Sequence, residues 1–312
     1  MQMKKAIFIL TLSMTLSGCN SDQYTDRIKS DFTIGVVTKA KDSEYWMSFI
    51  SGMERAALDY HVNIVLVSPK AETDAIVQKE MIDEMLEKRI DAIAVSPIDS
   101  YETSYLELAE EKGIPLFACD SDFVGQDVVY IGADNYKMGY QMAEHLADYM
   151  NGTGQVGIIA GSLQQQGHKA RVDGFCDYID QYTDIEVAFL KAKYSNLLIS
   201  QKEIAQIIRK NPDIGGIFIT NAVTAMGVSD YLSGEGYHLP ICAIDIQEDA
   251  LEALSQGELL ALANHSGYQN GYYTVEQIVK AVRDGEETGD YIIETQILTV
   301  DNVQEYLDAY QQ

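Results

Sequence analysis

The chain has 312 residues, 46% of them hydrophobic, and 48 acidic residues against 22 basic ones give a formal net charge of −26. This length is enough for one large domain or two ordinary ones, and the apolar content is typical of chains that fold around packed cores. A chain so acidic repels the phosphates of nucleic acids, and no cluster of Lys and Arg offsets that repulsion. The composition therefore excludes a nucleic-acid partner.

Residues 1–18 have the pattern of a secretory signal peptide. Lys4 and Lys5 precede an apolar run at residues 6–16, which is too short to span a bilayer. The run ends in Leu-Ser-Gly-Cys, which resembles the lipobox of bacterial lipoproteins and implies cleavage before Cys19 and lipidation of its sulfur. We expect residues 19–30 to be the lipidated cysteine and a polar linker on the extracytoplasmic face of the membrane. The alternative is an ordinary secretory signal with a chance cysteine.

Short apolar runs, four to six residues long and rich in Val and Ile, follow along the rest of the chain. Such runs are typical of strands buried on both faces. They lie at residues 32–37, 62–67, 92–95, 115–119, 128–131, 156–160, 214–219, 239–244 and 259–263. Amphipathic helix patterns lie between them, among them residues 73–89, 134–150, 200–210 and 269–283. The alternation predicts an α/β fold with parallel sheets and right-handed crossovers.

The number of predicted strands indicates two sheets and therefore two lobes, because so many strands exceed a comfortable single sheet. The best boundary is at residues 126–135, where a strand is followed by a polar turn and a new helix. No low-complexity segment separates the two halves. We therefore expect the chain to cross between the lobes several times.

Local motifs that resemble chemistry are weak in this sequence. A GxGxxG pattern at residues 152–157 follows a predicted helix and opens a strand, which is the reverse of a dinucleotide site. The acidic segment 120–127 lacks the closing glutamate of a calcium loop. Beyond Cys19, an odd set remains, Cys119, Cys176 and Cys242, which cannot form a complete disulfide framework. We expect no metal, no cofactor and no catalytic motif.

Polar and aromatic side chains follow the predicted strands at their carboxyl ends, where ligands bind in parallel α/β sheets. They lie in segments 41–46, 96–99, 120–122 and 162–171, and at Asn221, Asp245 and His265. Carboxylates accept hydrogen bonds from hydroxyls, Arg and Asn donate them, and aromatic faces cover the C–H side of a ring, so the mixture suits a sugar or polyol. Each residue could instead be a cap or turn residue. Trp46, the only tryptophan, could be a stacking platform or a core residue.

The order and spacing of several segments carry a family resemblance over residues 31–312. These segments are TIGVV at 33–37, YW at 45–46, Gly52, AVSP at 94–97, PLFACD at 115–120, IGADN at 131–135, Arg171, GF at 174–175, IFITN at 217–221 and ID at 244–245. The chain resembles the periplasmic sugar-binding proteins of the ribose-binding type, whose fold also forms the ligand core of lactose-repressor-like regulators. The absence of a helix-turn-helix pattern before residue 31 argues against a regulator.

The resemblance implies two Rossmann-like lobes, a three-crossing hinge and a ligand held between the lobes, which close by hinge motion. It places the crossings near residues 132–134, 264–266 and 297–299. The N-terminal lobe is then 31–133 plus 266–297, and the C-terminal lobe is 134–265 plus 298–312. Ligand positions carry over onto Ser43, Tyr45, Trp46, Ser96, Asp120, Arg171, Asn221, Asp245 and His265, and onto Tyr194 if a one-residue gap is allowed.

The sequence departs from the family pattern at Ser121, where Arg is frequent, and at Ala222, where Asp is frequent. The class of ligand is therefore better defined than its identity. We expect a monomeric solute-binding lipoprotein that delivers a sugar or polyol to an ABC permease. The alternative is a ligand-sensing receptor for a membrane histidine kinase or chemoreceptor. A third hypothesis, an exported enzyme on this scaffold, is not favoured.

Overall fold

The structure is a computed structural model that describes residues 23–24, 30–192 and 197–310. The signal peptide, Cys19 and Tyr194 lie outside the described residues, so those predictions are not tested by the fold.

The strands are short and mostly apolar. In chain order they are β1 (Gln23–Tyr24), β2 (Thr33–Val37), β3 (Asn63–Val67), β4 (Ala92–Val95), β5 (Leu116–Cys119), β6 (Tyr130–Ala133), β7 (Thr153–Ile159), β8 (Asp184–Lys191), β9 (Ile214–Ile219), β10 (Ile241–Ile244), β11 (Ala261–His265), β12 (Tyr291–Ile293) and β13 (Thr295–Thr299). Most central strands are buried on both faces, as β4 and β10 are along their full length. This explains their uninterrupted Val, Ile and Ala content.

The helices pack on both faces of the sheets. They are α1 (Glu44–Tyr60), α2 (Ala75–Leu86), α3 (Ser104–Lys112), α4 (Asn135–Tyr149), α5 (Gln166–Tyr182), α6 (Leu197–Lys210), α7 (Ala222–Gly234), α8 (Glu248–Ser255), α9 (Gly267–Ile278), which continues in a π-helical turn over Val279–Arg283, and α10 (Val303–Tyr310). Apolar stripes on these helices bury the sheet faces in four core clusters, two in each lobe.

The strands form two sheets, one in each lobe. The N-terminal sheet has the order β1-β3-β2-β4-β5-β6-β12, and the C-terminal sheet has the order β13-β11-β10-β9-β7-β8. All neighbouring pairs are parallel except β1 with β3 and β11 with β13. The predicted fold class, two α/β lobes with parallel sheets, is confirmed.

The chain passes between the sheets at three points. It leaves the N-terminal sheet after β6 at Asp134, returns after β11 at Ser266, and crosses again between β12 and β13 at Glu294. The expected third crossing at residues 297–299 is too late. Strand β13 pairs with β11 from Thr295 onward, so the chain is already in the C-terminal sheet there.

Strand β8 was missed by the apolar pattern. It lies at the edge of the C-terminal sheet and pairs only with β7. One side of an edge strand is open, so its sequence DIEVAFLK mixes charged and apolar residues and most of its positions are exposed or half-buried.

Two pairs of helices approach each other closely through glycine. A Cβ on Gly52 of α1 would lie 1.9 Å from the carbonyl oxygen of Tyr268 in α9, and a Cβ on Gly174 of α5 would lie 2.0 Å from the carbonyl oxygen of Tyr136 in α4. Only glycine permits such backbone contact. The contacts fix α1 and α5, whose first turns face the space between the lobes.

Candidate functional site

A cleft of about 820 Å³ lies between the two lobes, at the carboxyl ends of the parallel strands. Its volume falls within the range of small-molecule sites, roughly 300–1,000 Å³. The N-terminal wall comes from the segments after β2, β3, β4 and β5. The C-terminal wall comes from the segments after β7, β9 and β10 and from His265, the last residue of β11. The sequence analysis predicted polar ligand-binding residues at this same edge.

Two aspartates occupy matching positions on the two walls. Asp120 directly follows β5 and Asp245 directly follows β10, and both have left-handed backbone conformations, with φ of 61° and 73°. Such φ values are strained for a residue other than glycine, although Asp tolerates them better than most. Strain of this kind is concentrated at functional sites, where the surrounding structure holds it in place.

The N-terminal wall surrounds Asp120 with partners. Its Oδ2 forms an ion pair with Lys39 Nζ at 2.8 Å and accepts a hydrogen bond from Ser96 Oγ at 3.0 Å. Its Oδ1 accepts from the Tyr45 hydroxyl at 2.7 Å, and that hydroxyl accepts from Asn270 Nδ2 at 3.0 Å. The Asp120 side chain is only 7% exposed. Both of its oxygens are therefore committed to the protein.

The charge state of this wall follows from the same contacts. Burial by itself raises the pKa of Asp120, but the Lys39 ammonium, the His265 ring and the bonds from Lys39 and Tyr45 more than offset burial and hold that pKa well below its usual range. Asp120 is thus a carboxylate at neutral pH, and Lys39 neutralises it.

The C-terminal wall is built around Arg171, which is buried in α5. Its Nη1 donates to the carbonyl oxygen of Thr220 at 2.7 Å and its Nε donates to Asn135 Oδ1 at 2.8 Å. Nη1 also lies 3.6 Å from Asp245 Oδ1, and Nη2 lies 3.0 Å from His265 Nε2. A guanidinium held at this many points has one orientation, with its charge directed at Asp245.

Asp245 is more open than Asp120. Its Oδ1 lies 2.7 Å from His265 Nε2, and its side chain is 21% exposed. Its Oδ2 has no protein partner among the described residues. Burial raises the pKa of Asp245, but Arg171 and the hydrogen bond with His265 outweigh burial and leave the pKa below its usual range. At Asp245 the inner cleft therefore presents a free, ionised carboxylate oxygen.

His168 lies on the same wall, one helical turn before Arg171. Its Nδ1 lies 2.9 Å from the hydroxyl oxygen of Thr220, which also accepts a hydrogen bond from the backbone N–H of Gly161 at 3.0 Å. Burial and the nearby charges of Arg171 and Lys39 lower the pKa of His168 to about 3. The imidazole is neutral at physiological pH.

The two walls touch each other directly. Lys39 Nζ donates to Gln165 Oε1 across the cleft at 3.1 Å, and the backbone N–H of Gly167 donates to Ser121 Oγ at 3.1 Å. At another point, Glu44 in the first turn of α1 accepts from the backbone N–H of Glu248, the first residue of α8, at 3.0 Å. These contacts hold the lobes together in a closed arrangement.

The predicted ligand residues within the described ranges all lie at or beside the cleft. Ser43 and Asn221 line it and also cap helices, because Ser43 accepts from the backbone N–H of Trp46 and Asn221 from that of Thr224. Tyr45, Asp120, Arg171, Asp245 and His265 line it as well. Ser96 is fully buried behind Asp120 and does not line the cleft.

Trp46 is buried more deeply than a stacking platform would be. It is 2% exposed and lies in a core cluster of the N-terminal lobe with Phe49, whose ring centroid is 5.5 Å away. Its Nε1 donates to Glu72 Oε1 at 2.9 Å, and Lys39 Nζ lies 5.9 Å from its ring centroid. The indole borders the cleft, but in this arrangement it supports Lys39 rather than presenting an open face.

Sequence reasoning missed Lys39, and it named His168 and Gln165 only as part of segment 162–171. Lys39 comes two residues after β2 ends and is 6% exposed. The rule that ligand residues follow strands would have selected it, had the segment been read from the last strand residue onward. His168 and Gln165, which are 8% and 1% exposed, precede Arg171 on the same wall.

Neither a metal-binding group nor a membrane-spanning helix is found in the described part of the chain. Over residues 23–24, 30–192 and 197–310, no group of three or more His, Cys, Asp or Glu side chains could hold a metal ion. Within the same residues, no helix has the length and apolar character needed to cross a membrane.

Comparison with known proteins agrees with this geometry. The sequence profile of the periplasmic binding protein domain matches residues 34–287. The chain belongs to the periplasmic binding protein family. Among curated members, it is 24% identical over 269 residues to the ribose import binding protein RbsB of Bacillus subtilis, covering 83% of this chain and 87% of that protein. It is 29% identical over 251 residues to a xylitol-binding protein of Mycolicibacterium smegmatis, covering 77% and 70%.

A solved structure of the family has the same fold. A carbohydrate transporter solute-binding protein from Agrobacterium radiobacter, in complex with D-arabinose, superposes with a TM-score of 0.84 at 21% identity, over 90% of this chain and 99% of that chain. At this identity the likeness establishes the periplasmic binding protein type I fold. The family is one of periplasmic binding proteins.

Proposed function

We propose that this protein is an extracytoplasmic solute-binding lipoprotein that captures a neutral sugar or polyol in the interlobe cleft and delivers it to an ABC importer. The proposal assigns the polar ligand contacts to Arg171, Asn221 and Asp245. It assigns ring contacts to Tyr45 and His265, because their polar atoms are bonded to or enclosed by the protein. It treats Asp120 and Ser96 as the groups that hold the wall in place.

The observation that carries the proposal is the matched charge of the inner cleft. Asp120 is neutralised by Lys39 and Asp245 faces Arg171, so a bound ligand meets no uncompensated charge. Burying an unpaired charge is expensive, and a neutral ligand avoids that cost. The open Asp245 Oδ2 accepts from a hydroxyl, which is the main polar group of a sugar.

The cleft entrance favours the same class. Among the lining residues that are at least partly exposed are the carboxylates of Asp42, Glu44, Glu72 and Asp99 and the ammonium of Lys70. Acidic groups at the mouth repel sugar phosphates and sugar acids. Relatives whose names refer to ribose and xylitol support a neutral polyhydroxylated ligand for this chain as well.

Delivery to an importer and lipid anchoring rest on different support. The name of the Bacillus subtilis relative refers to import. The lipobox-like segment at 16–19 supports attachment through Cys19. Closure around a ligand creates a surface that only the loaded protein presents, and a membrane partner can recognise that surface.

A ligand screen tests the proposal. The full-length protein in detergent is titrated calorimetrically with neutral pentoses, hexoses, pentitols and inositols, and with matched sugar phosphates, sugar acids and amino acids. We expect saturable 1:1 binding of at least one neutral member. Binding confined to amino acids or charged sugars contradicts the proposal.

Anchoring is tested separately with Cys19→Ala. We expect the unchanged protein to partition into the detergent phase of Triton X-114 and to incorporate radiolabelled palmitate, and the variant to do neither. Cys176→Ala is the matched control, because Cys176 is a free cysteine in the C-terminal lobe. Equal partitioning of the Cys19 variant and the unchanged protein contradicts lipidation.

A further inference from the structure

The C-terminal wall contains a hydrogen-bond donor whose proton position can be worked out from its neighbours. His168 lines the cleft and is 8% exposed. Its ring lies against Gly161, where a Cβ would be only 2.3 Å from Nε2. The missing side chain at residue 161 therefore makes room for the imidazole.

Thr220 determines which ring nitrogen carries the proton. Its hydroxyl oxygen is fully buried and accepts a hydrogen bond from the backbone N–H of Gly161 at 3.0 Å. The hydroxyl proton still needs an acceptor, and the one other polar atom that contacts this oxygen among the described residues is His168 Nδ1, at 2.9 Å. A buried hydroxyl rotates to satisfy its proton, so Thr220 donates and Nδ1 accepts.

The consequence concerns Nε2. A neutral imidazole has one protonated nitrogen, so when Nδ1 accepts, Nε2 carries the hydrogen. Among the described residues, Nε2 has no protein partner. It does not belong to the fully buried polar atoms that lack a partner, so it is open to solvent. Its N–H is available to a molecule in the cleft.

We propose that His168 Nε2–H is a fixed donor to a hydroxyl or ring oxygen of the ligand, and that Thr220 acts as a positioning residue that sets this tautomer. The proposal rests on the proposed function, since it concerns the same cleft. It pairs a donor at His168 with the acceptor at Asp245 Oδ2 on one wall, an arrangement suited to a ligand whose oxygens both donate and accept.

The surrounding charges keep this donor neutral. Four charged groups influence the ring: Arg171 and Lys39, which oppose its protonation, and Asp245 and Asp120, which favour it. Burial and the two cations prevail and lower the pKa of His168 to about 3. Ligand binding through His168 is therefore unchanged between pH 8 and pH 5.

The first test needs no ligand. Long-range ¹H–¹⁵N correlation spectra of the full-length protein in detergent, with the His168 signals assigned by comparison with His168→Gln, report which ring nitrogen is protonated. We expect protonation at Nε2, and we expect it to persist in Thr220→Ser, which keeps the hydroxyl, but not in Thr220→Val. Protonation at Nδ1 in the unchanged protein overturns the proposal.

The second test compares two amide variants with the best neutral ligand of the screen. Gln places its amide nitrogen near the position of Nε2, whereas Asn reaches only the position of Nδ1. We expect His168→Gln to bind within about threefold of the unchanged protein and His168→Asn to bind about tenfold more weakly, the effect of one lost hydrogen bond. Equal affinities for the two variants overturn the ligand contact.

Deoxy analogues of that ligand separate a ligand contact from a structural role. We expect one analogue, which lacks the oxygen that His168 contacts, to bind the unchanged protein and His168→Asn with nearly equal affinity, while the parent ligand distinguishes them. If every analogue distinguishes the two proteins as well as the parent does, His168 acts through structure alone. If no neutral ligand binds the unchanged protein, the proposed function and the ligand contact both fail, while the tautomer result stands by itself.

Discussion

Asp120 and Asp245 occupy the same place in two lobes of one topology, yet their surroundings differ. Each follows the last residue of a buried strand in a left-handed conformation, and each lies near a cation. Asp120 has three protein partners and a 7% exposed side chain, whereas Asp245 is 21% exposed and has one free oxygen. Equivalent positions have thus taken different tasks: one stabilises its wall, and the other is open to a ligand.

The largest effect is expected at the enclosed carboxylate. Asp120→Ala leaves the Lys39 ammonium buried without its counter-charge, so we expect the free energy of unfolding to fall by about 3–5 kcal/mol. Chemical denaturation followed by circular dichroism measures this loss. In the double variant Asp120→Asn with Lys39→Met both charges are gone, and we expect most of the stability to return. A stable Asp120→Ala protein would show that the wall does not depend on this ion pair.

A substitution of Asp245, the open carboxylate, is expected to change ligand affinity more than the free energy of unfolding. In Asp245→Asn, Arg171 keeps its bonds to Asn135 and Thr220, so we expect the free energy of unfolding to change by less than about 1 kcal/mol. The free acceptor loses its charge, and we expect affinity for the neutral ligand to fall about 10- to 100-fold by calorimetry. Affinity within twofold of the unchanged protein would mean that Asp245, like Asp120, does not contact the ligand.

The stability of the protein is expected to depend on pH through His168 in the C-terminal wall. The folded protein keeps this ring neutral down to pH about 3, whereas a histidine in the unfolded chain takes up a proton near pH 6.5. The contribution of His168 to stability is therefore complete above about pH 6.5 and is lost as the pH falls toward 3. Between pH 6 and pH 5, we expect the unchanged protein to lose about 1 kcal/mol more than His168→Gln in denaturant titrations. Equal losses in the two proteins would contradict a depressed pKa.

The smallest effect is expected where the two walls meet at the mouth. The Glu44 carboxylate accepts from the backbone N–H of Glu248 at the start of α8, an interaction that the helix dipole strengthens. We expect Glu44→Gln to increase the rate of ligand release about two- to fivefold in stopped-flow displacement. Glu54→Gln, an equal change of charge on the exposed side of the same helix, should leave the rate unchanged. If both variants release ligand alike, the effect is one of net charge.

The sequence also contains a signal of the equivalence of the two lobes. Residues 136–140 read Tyr-Lys-Met-Gly-Tyr and residues 268–272 read Tyr-Gln-Asn-Gly-Tyr, and both segments lie near the start of the helix that re-enters a lobe, α4 or α9. The glycine at the fourth position of each segment contacts the partner helix closely, since a Cβ on Gly139 or Gly271 would lie 1.9 Å from a carbonyl oxygen. The shared Tyr-x-x-Gly-Tyr pattern marks corresponding helices in the two lobes.

Local sequence patterns alone were enough to predict the α/β class, the two lobes and the polar segments that contain Asp120, Arg171, Asp245 and His265. Apolar runs and helical stripes record backbone period and burial, which are local properties. The burial of Trp46 in the core and the third crossing at Glu294 depend on contacts between distant segments, so they became clear from the assembled fold.

The different roles of the two aspartates, structural for Asp120 and open to a ligand for Asp245, also depend on the assembled fold. The partners of Asp120 lie 24 to 81 residues away in the chain, at Lys39, Tyr45 and Ser96. No local pattern encodes such distances, because they depend on how strands from separate segments align in the sheet. Whether a carboxylate is enclosed or open to a ligand is therefore a property of the assembled cleft.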